Sequence, residues 1–148
     1  MGSSFLASEL SAALLRAQFE RFPEIQAARK NAWNFYHSEL EHDETQERVR
    51  RPIVPAEATH NAHLYYVLLQ SHEQRNRVLK TMRDQGIMST FHYIPLHSAP
   101  GAAGKSRFVG DMLRTNTLSE RLLRLPLWAD ITVADTQRVL EALRGALR

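Results

Sequence analysis

A chain of 148 residues, 43% hydrophobic and 24% charged with a net charge of +3, has enough apolar material for one domain with a real core and is not a disordered tail. Its longest apolar runs, such as Leu64–Leu69, are far too short to span a bilayer, and the absence of cysteine excludes a disulfide framework, a thiolate nucleophile and a zinc–thiolate site. The positive balance rests on 16 Arg and three Lys that are scattered apart from Arg48, Arg50 and Arg51, so a solvated surface is expected rather than a nucleic-acid face.

In chain order, residues 6–20 read as a helix. Ser3 or Ser4 is placed to cap it, and Leu6, Leu10, Ala13, Leu14 and Ala17 fall on one stripe. Pro23 suits the first turn of a second helix that runs to about Leu40, with Ile25, Ala28, Ala32 and Phe35 on one face. Residues 41–59, charged and carrying Pro52 and Pro55, read as a surface connection. His63–Leu69 is apolar at both alternating sets, which predicts a strand covered on both sides. A helix is expected over Glu73–Gln85 with Val78, Leu79 and Met82 inward, ended by Gly86 in the left-handed region.

Ile87–Tyr93 reads as a second strand that Pro95 ends, and residues 98–111 as loop. A short helix near Thr117–Leu123 then leads into a third extended piece, Arg124–Trp128. In "RLLRLPLW" the leucines read as core and Trp128 as a cap on the sheet edge. Thr132 and Asp135 form a capping box for a last helix that carries Val139, Leu140, Leu143 and Leu147. The resulting order of elements predicts an α+β fold, a small sheet covered by helices.

Two stretches suggest chemistry. Ala99 to Ser106 matches a loose phosphate-loop pattern ending in Gly104-Lys105-Ser106. Such a loop needs a strand directly before it and a helix directly after it, so that loop amides and the helix N-terminus meet the phosphates. Pro95, His97 and Pro100 separate it from the preceding strand, and Gly110 interrupts the segment after Ser106, so a flexible loop is the reading. The second stretch is "FHYIPLH", Phe91–His97, which sets His92, Tyr93 and His97 at a strand end feeding a loop, the usual place for functional groups. Taken alone, the same residues also suit a satisfied core or surface. His60, His63, His92 and His97 lack the i, i+4 spacing of a helical metal site, so no metal is expected.

Several spaced motifs occur in order: "GSSFLASELSAALLRAQFE", "HNAHLYYVLL", "GIMSTFHYIPLH", and "SERLLRLPLW" followed by "ITVADTQRVLEAL". The series resembles the C-terminal part of the DegT/StrS-type nucleotide-sugar aminotransferases, which depend on pyridoxal 5′-phosphate (PLP). Within them it is most like the dTDP-4-oxo-6-deoxyglucose 4-aminotransferases, which make dTDP-4-amino-4,6-dideoxygalactose for surface polysaccharide such as lipopolysaccharide or enterobacterial common antigen. The segments 41–59 and 98–118 match poorly and look like variable loops.

The resemblance implies the small C-terminal domain of a fold type I PLP transferase, with a small, mainly antiparallel sheet. Residues 1–148 would be that single domain, with 1–42 a helical interface or linker segment. The family works as a cytoplasmic homodimer, off the membrane and without nucleic acid, and transfers the amino group of glutamate to a nucleotide-linked keto sugar. Its Schiff-base lysine and the aspartate on the pyridine nitrogen lie in a large domain upstream of the first motif, so that domain is expected to be absent here. The residues Lys30, Lys80 and Lys105 do not suit the Schiff-base role, so no catalytic residue is assigned. The chain alone is then expected to bind no PLP and to be inactive without a large domain or a partner copy.

By position in the motifs, Ser4 stands where the family's asparagine reaches the cofactor phosphate across the dimer, and Leu6 where it has arginine. Tyr93 and His97 match Tyr-x-Pro-Leu-His, which looks towards the sugar nucleotide, and His92 is a weaker candidate beside them. Asn61 and His63 are expected to be structural. The competing reading is a stand-alone, non-catalytic binding or oligomerisation module. A bare apolar face on the 6–20 helix would favour the aminotransferase domain, and a sealed one the module.

Overall fold

In a computed structural model of the chain, residues 6–102 and 104–148 are described. Ser3 and Ser4 lie outside the described residues. The first helix, α1 (Glu9–Glu20), is capped by Ser8, whose hydroxyl accepts from the Ser11 amide at 3.2 Å. Arg21 separates it from α2 (Phe22–Glu39), which has Pro23 in its first turn as predicted. A short helix α3 (Glu41–Thr45) follows, and Arg50 pairs with Leu68. The predicted surface connection is therefore partly structural: Asp43 and Val49 are buried.

Strand β1 (Tyr65–Leu68), helix α4 (His72–Asp84), strand β2 (Thr90–Phe91), helix α5 (Leu113–Arg121), strand β3 (Leu122–Leu125) and helix α6 (Val133–Ala146) complete the chain. Among the described residues the three strands form one sheet in the order β1-β3-β2, antiparallel throughout. This is the α+β fold with a small antiparallel sheet that the sequence predicts.

Three boundaries differ from expectation. The predicted strand Ile87–Tyr93 shrinks to two residues. Thr90 and Phe91 pair with Arg124 and Leu123, and two steps further either way the partner would be Pro126, which has no amide hydrogen, or Arg121, which is helical, so the ladder has room for four residues at most. The helix expected near Thr117–Leu123 starts four residues earlier, because the Asp111 carboxylate accepts from the Leu113 amide at 3.0 Å. It stops at Arg121, and Leu122 and Leu123 join the strand. Trp128 is exposed in the turn before α6.

Helices α2, α4 and α6 supply Tyr36, Val78, Met82, Val139, Leu140 and Leu143 to one core with Tyr65, Val67, Leu123 and Leu125. Inside it, Tyr36 donates its hydroxyl to the Pro126 carbonyl at 3.0 Å, and burial pushes its phenol pKa up. The expectation that β1 is covered on both sides holds at Tyr65, Val67 and Leu68, which are buried, and falls short at Tyr66. Tyr66 and Arg124 alternate with the buried residues and lie half-buried on the opposite face. Gly86 ends α4 with φ +74°, as the sequence requires.

The capping box on α6 is present. Thr132 Oγ1 accepts from the Asp135 amide at 3.1 Å, and the Asp135 carboxylate accepts from the Thr132 amide at 3.1 Å. The Thr132 hydroxyl also donates to Asp135, and these hydrogen bonds hold that carboxyl below its ordinary range. A depressed carboxyl stabilises the fold above its unfolded pKa, and the contribution is lost as pH falls through the folded value. Thr132→Ala is expected to cost about 1 kcal/mol of unfolding free energy. Urea denaturation at neutral pH measures it, and an unchanged midpoint would remove the box from the stability account.

Candidate functional site

The chain leaves β2 through His92, Tyr93, Ile94 and Pro95 and enters two 3-10 turns, Leu96–Ser98 and Pro100–Ala102. Concavities lie around this segment. One, of about 390 Å³, is lined by Arg75 and Asn76 of α4, His92 and Tyr93, and Asn116 and Ser119 of α5. Another, of about 570 Å³, lies on the open sheet face and is lined by Thr90, His92, Tyr93, Ile94, Leu96 and Arg124. A third, of about 780 Å³ and mainly apolar, is lined by Leu96, His97, Arg107, Phe108 and Met112.

Arg75 holds the segment in place. It is 7% exposed, donates from Nε to the Glu120 carbonyl at 3.0 Å, and lays its guanidinium 5.2 Å over the Phe91 ring. The carbonyl sits at the C-terminal end of α5, where the helix dipole favours a cation. Burial pulls the Arg75 pKa below the ordinary arginine range.

His92 and Tyr93 stack edge-to-face with ring centroids 5.1 Å apart. The Tyr93 ring is 81% exposed, so its phenol faces solvent. The His92 Nδ1 atom is buried and has no hydrogen-bond partner among the described residues. His97 Nε2 donates to Asn116 Oδ1 at 2.8 Å, and its ring meets Phe108 at 5.3 Å. His92 and Tyr93 thus share two concavities, while His97 lies beyond Pro95 and is tied back to the first of them through Asn116.

Arg75, Asn116 and Arg124 escaped the sequence reading. Only Arg124 left a signal there, as the single charge alternating with leucines in "LLRL". Asn61 and His63 are structural, as expected: the Asn61 side chain holds His63, and the carbonyls of Asn61, Ala62 and His63 take hydrogen bonds from Gln26 and Arg29 of α2. Ser4 lies outside the described residues.

The phosphate-loop pattern has no matching geometry. Among the described residues the stretch before Gly104 is the 3-10 turn Pro100–Ala102 and not a strand, and the next helix starts only at Leu113. Among the described residues no group of three or more metal-ligating side chains comes together, and no described helix is long and apolar enough to cross a membrane.

Residues 1–144 match the DegT/DnrJ/EryC1/StrS aminotransferase family. The chain belongs to that family. The dTDP-3-amino-3,4,6-trideoxy-α-D-glucose transaminase of Micromonospora megalomicea subsp. nigra is 26% identical over 141 residues, 94% of this chain and 37% of that protein. The aminotransferase TlmJ from Streptoalloteichus hindustanus superposes with a TM-score of 0.83 at 24% identity, over 96% of this chain and 37% of that one. The Helicobacter pylori aminotransferase PseC superposes with a TM-score of 0.86 at 16% identity, over 99% of this chain and 39% of that one. This family member therefore spans little more than a third of the relatives it matches.

PLP, the cofactor the family implies, needs an amine for its aldehyde and a cradle for its phosphate. Lys80 is exposed and paired with Asp84 at 2.7 Å. None of the three lysines lines a concavity around the strand exit. The described residues do not fit PLP as a covalent cofactor.

The sides of the domain differ in character. Helix α1 buries none of its residues, and Leu10, Leu14, Leu15 and Phe19 stand exposed along it. The exposed apolar residues leave this helix without a covered face in the chain by itself.

Proposed function

We propose that this chain is the small domain of a sugar aminotransferase that passes an amino group from glutamate to a dTDP-linked 4-keto-6-deoxy sugar in surface-polysaccharide synthesis. The family match over residues 1–144 carries the reading. The activity for which the Micromonospora relative is named supports a dTDP-linked sugar, although its product carries the amino group at C3. The 4-amino-4,6-dideoxygalactose product rests on the motif likeness around "FHYIPLH" and "RLLRLPLW".

In this role the strand exit forms the sugar-nucleotide wall. Tyr93 offers a hydroxyl and His97 an imidazole to sugar or diphosphate oxygens, and His92 is a weaker candidate beside Tyr93. The apolar face of α1 is the docking surface for the PLP-bearing large domain or for a second copy, and Ser4 is assigned to the cofactor phosphate across that boundary. The work is cytoplasmic, where nucleotide sugars are made, and the Schiff-base lysine comes from the large domain.

The test has two readouts. With PLP, glutamate and dTDP-4-oxo-6-deoxyglucose, the purified chain is expected to show neither a Schiff-base absorbance nor turnover; a stable internal aldimine with turnover would overturn the division of labour. Titrated with the dTDP-sugar, it is expected to shift the resonances of Tyr93 and His97. Tyr93→Phe with His97→Ala should weaken that binding roughly tenfold, the worth of one or two hydrogen bonds. Unchanged affinity in the double variant would move the sugar site elsewhere.

A further inference from the structure

Six arginines among the described residues are buried or half-buried: Arg29, Arg51, Arg75, Arg121, Arg124 and Arg144. Five of them spend their donors on the protein. Arg29 bonds the carbonyls of Ala62 and His63, Arg75 that of Glu120 and Arg121 that of Leu69, while Arg51 and Arg144 pair with the carboxylates of Glu44 and Asp43. Arg124 does neither: among the described residues its side chain makes no hydrogen bond and no ion pair. Its side chain is half-buried as a whole, but its five guanidinium donors are not buried and are left to solvent or to a ligand.

Its position narrows the acceptor. Arg124 is the middle strand's outward residue, between Leu123 and Leu125, which are 0% and 4% exposed beneath the helices. The register sets Tyr66 directly opposite on one side and Thr90 on the other. The side chain lines the concavity of about 570 Å³ that also holds Thr90, His92 and Tyr93. A fixed fork of donors, flanked by hydroxyls and a histidine and with no competing carboxylate paired to it, matches a phosphate oxyanion.

We propose that Arg124 is the anchor of a phosphate-binding subsite on the open sheet face, with Thr90 and His92 as neighbouring contacts. It deepens the sugar-nucleotide reading above and rests on that reading for its ligand: the diphosphate of a nucleotide sugar is the favoured source, and a phosphate monoester such as that of PLP is the other source of the same chemistry. Arg124 would grip the charge, leaving Tyr93 and His97 to the sugar.

The test uses the whole chain, labelled with nitrogen-15, and four probes: inorganic pyrophosphate, dTDP, thymidine and PLP. Pyrophosphate and dTDP are expected to shift the Arg124 Nε–H and the amides of Thr90 and His92, with binding that weakens as salt rises, and thymidine is not. Arg124→Gln should weaken dTDP binding at least roughly tenfold, the loss of one charge-assisted contact. Arg124→Lys, which keeps the charge but loses the fork, should fall between and carries the test if the glutamine variant misfolds. Binding of PLP in place of dTDP, still dependent on Arg124, would keep the subsite and assign it to a monoester. If Arg124→Gln keeps full affinity for the dTDP-sugar while His97→Ala loses it, the Arg124 subsite is overturned and the sugar-nucleotide reading stands. If pyrophosphate binding needs Arg124 but the dTDP-sugar leaves Tyr93 and His97 untouched, the subsite stands and that reading falls. No response of Arg124 to any phosphate probe overturns the subsite.

Discussion

Arg75→Ala is expected to lower unfolding free energy by about 3 kcal/mol, the sum of one charged hydrogen bond and one cation–π contact in a largely desolvated place. The side chain links three elements: it grows from α4, bonds the last turn of α5, and covers Phe91 at the end of β2. Its loss leaves the Glu120 carbonyl without that donor and takes the packing off Phe91. The effect should be local as well as global. Amide exchange at Phe91–Ile94 should quicken more than exchange in α6, and the response of Tyr93 to a dTDP-sugar should weaken. Arg75→Lys should recover part of the stability but little of the protection, because an ammonium does not lie flat on a ring as a guanidinium does. Equal loss of protection in α6 and at the strand exit would make Arg75 an ordinary core residue, with no special part in positioning the site.

The second large effect is expected at Asp43→Ala, about 2 kcal/mol, because a buried carboxylate loses its charge-assisted hydrogen bond from Arg144 and leaves a gap in the packing. Asp43 is 1% exposed. Its Oδ2 accepts from Arg144 Nε at 2.9 Å, and its Oδ1 lies 3.7 Å from Arg48. Arg144 also donates to the Glu39 carbonyl at 2.6 Å, so this one cluster joins the end of α2, α3 and the end of α6. Asp43→Asn keeps the shape and should cost less than the alanine. Urea denaturation at neutral pH is the measurement. A loss of no more than about 0.5 kcal/mol, the scale of an exposed pair, would show that solvent already screens the cluster through its half-exposed arginines.

Where the fold was legible in the sequence, a single local rule was strong enough to decide. Pro23 marks the start of α2, Gly86 the end of α4, and Thr132 with Asp135 the start of α6, because each settles backbone geometry or an amide partner within four residues. The stripe Val139, Leu140, Leu143 is buried as its period demands. Ser8 takes the cap expected of Ser3 or Ser4, since several serines stand within one turn and only the path of the chain selects among them.

The misreadings share a cause: they depend on a partner distant in sequence. "IMSTFHY" has the composition of a seven-residue strand but pairs over two residues and could pair over four at most, since β3 is only four residues long between a helix on one side and Pro126 on the other. The charged run 41–59 looked solvated because an aspartate buried by Arg144, a hundred residues on, is indistinguishable in sequence from one facing water.

The candidate site divides in the same way. The sequence by itself determined the family's motifs, the strand-end placement of His92, Tyr93 and His97, and the failure of the phosphate-loop pattern, since each is a matter of residue type and short spacing. The tertiary structure alone decided that Arg75 clasps Phe91, that Asn116 holds His97, and that Arg124 lies unpaired on an open face. Those facts depend on which strand is central and which face the helices cover, and both are set by packing between segments some 30 to 60 residues apart, where no local period or propensity carries information.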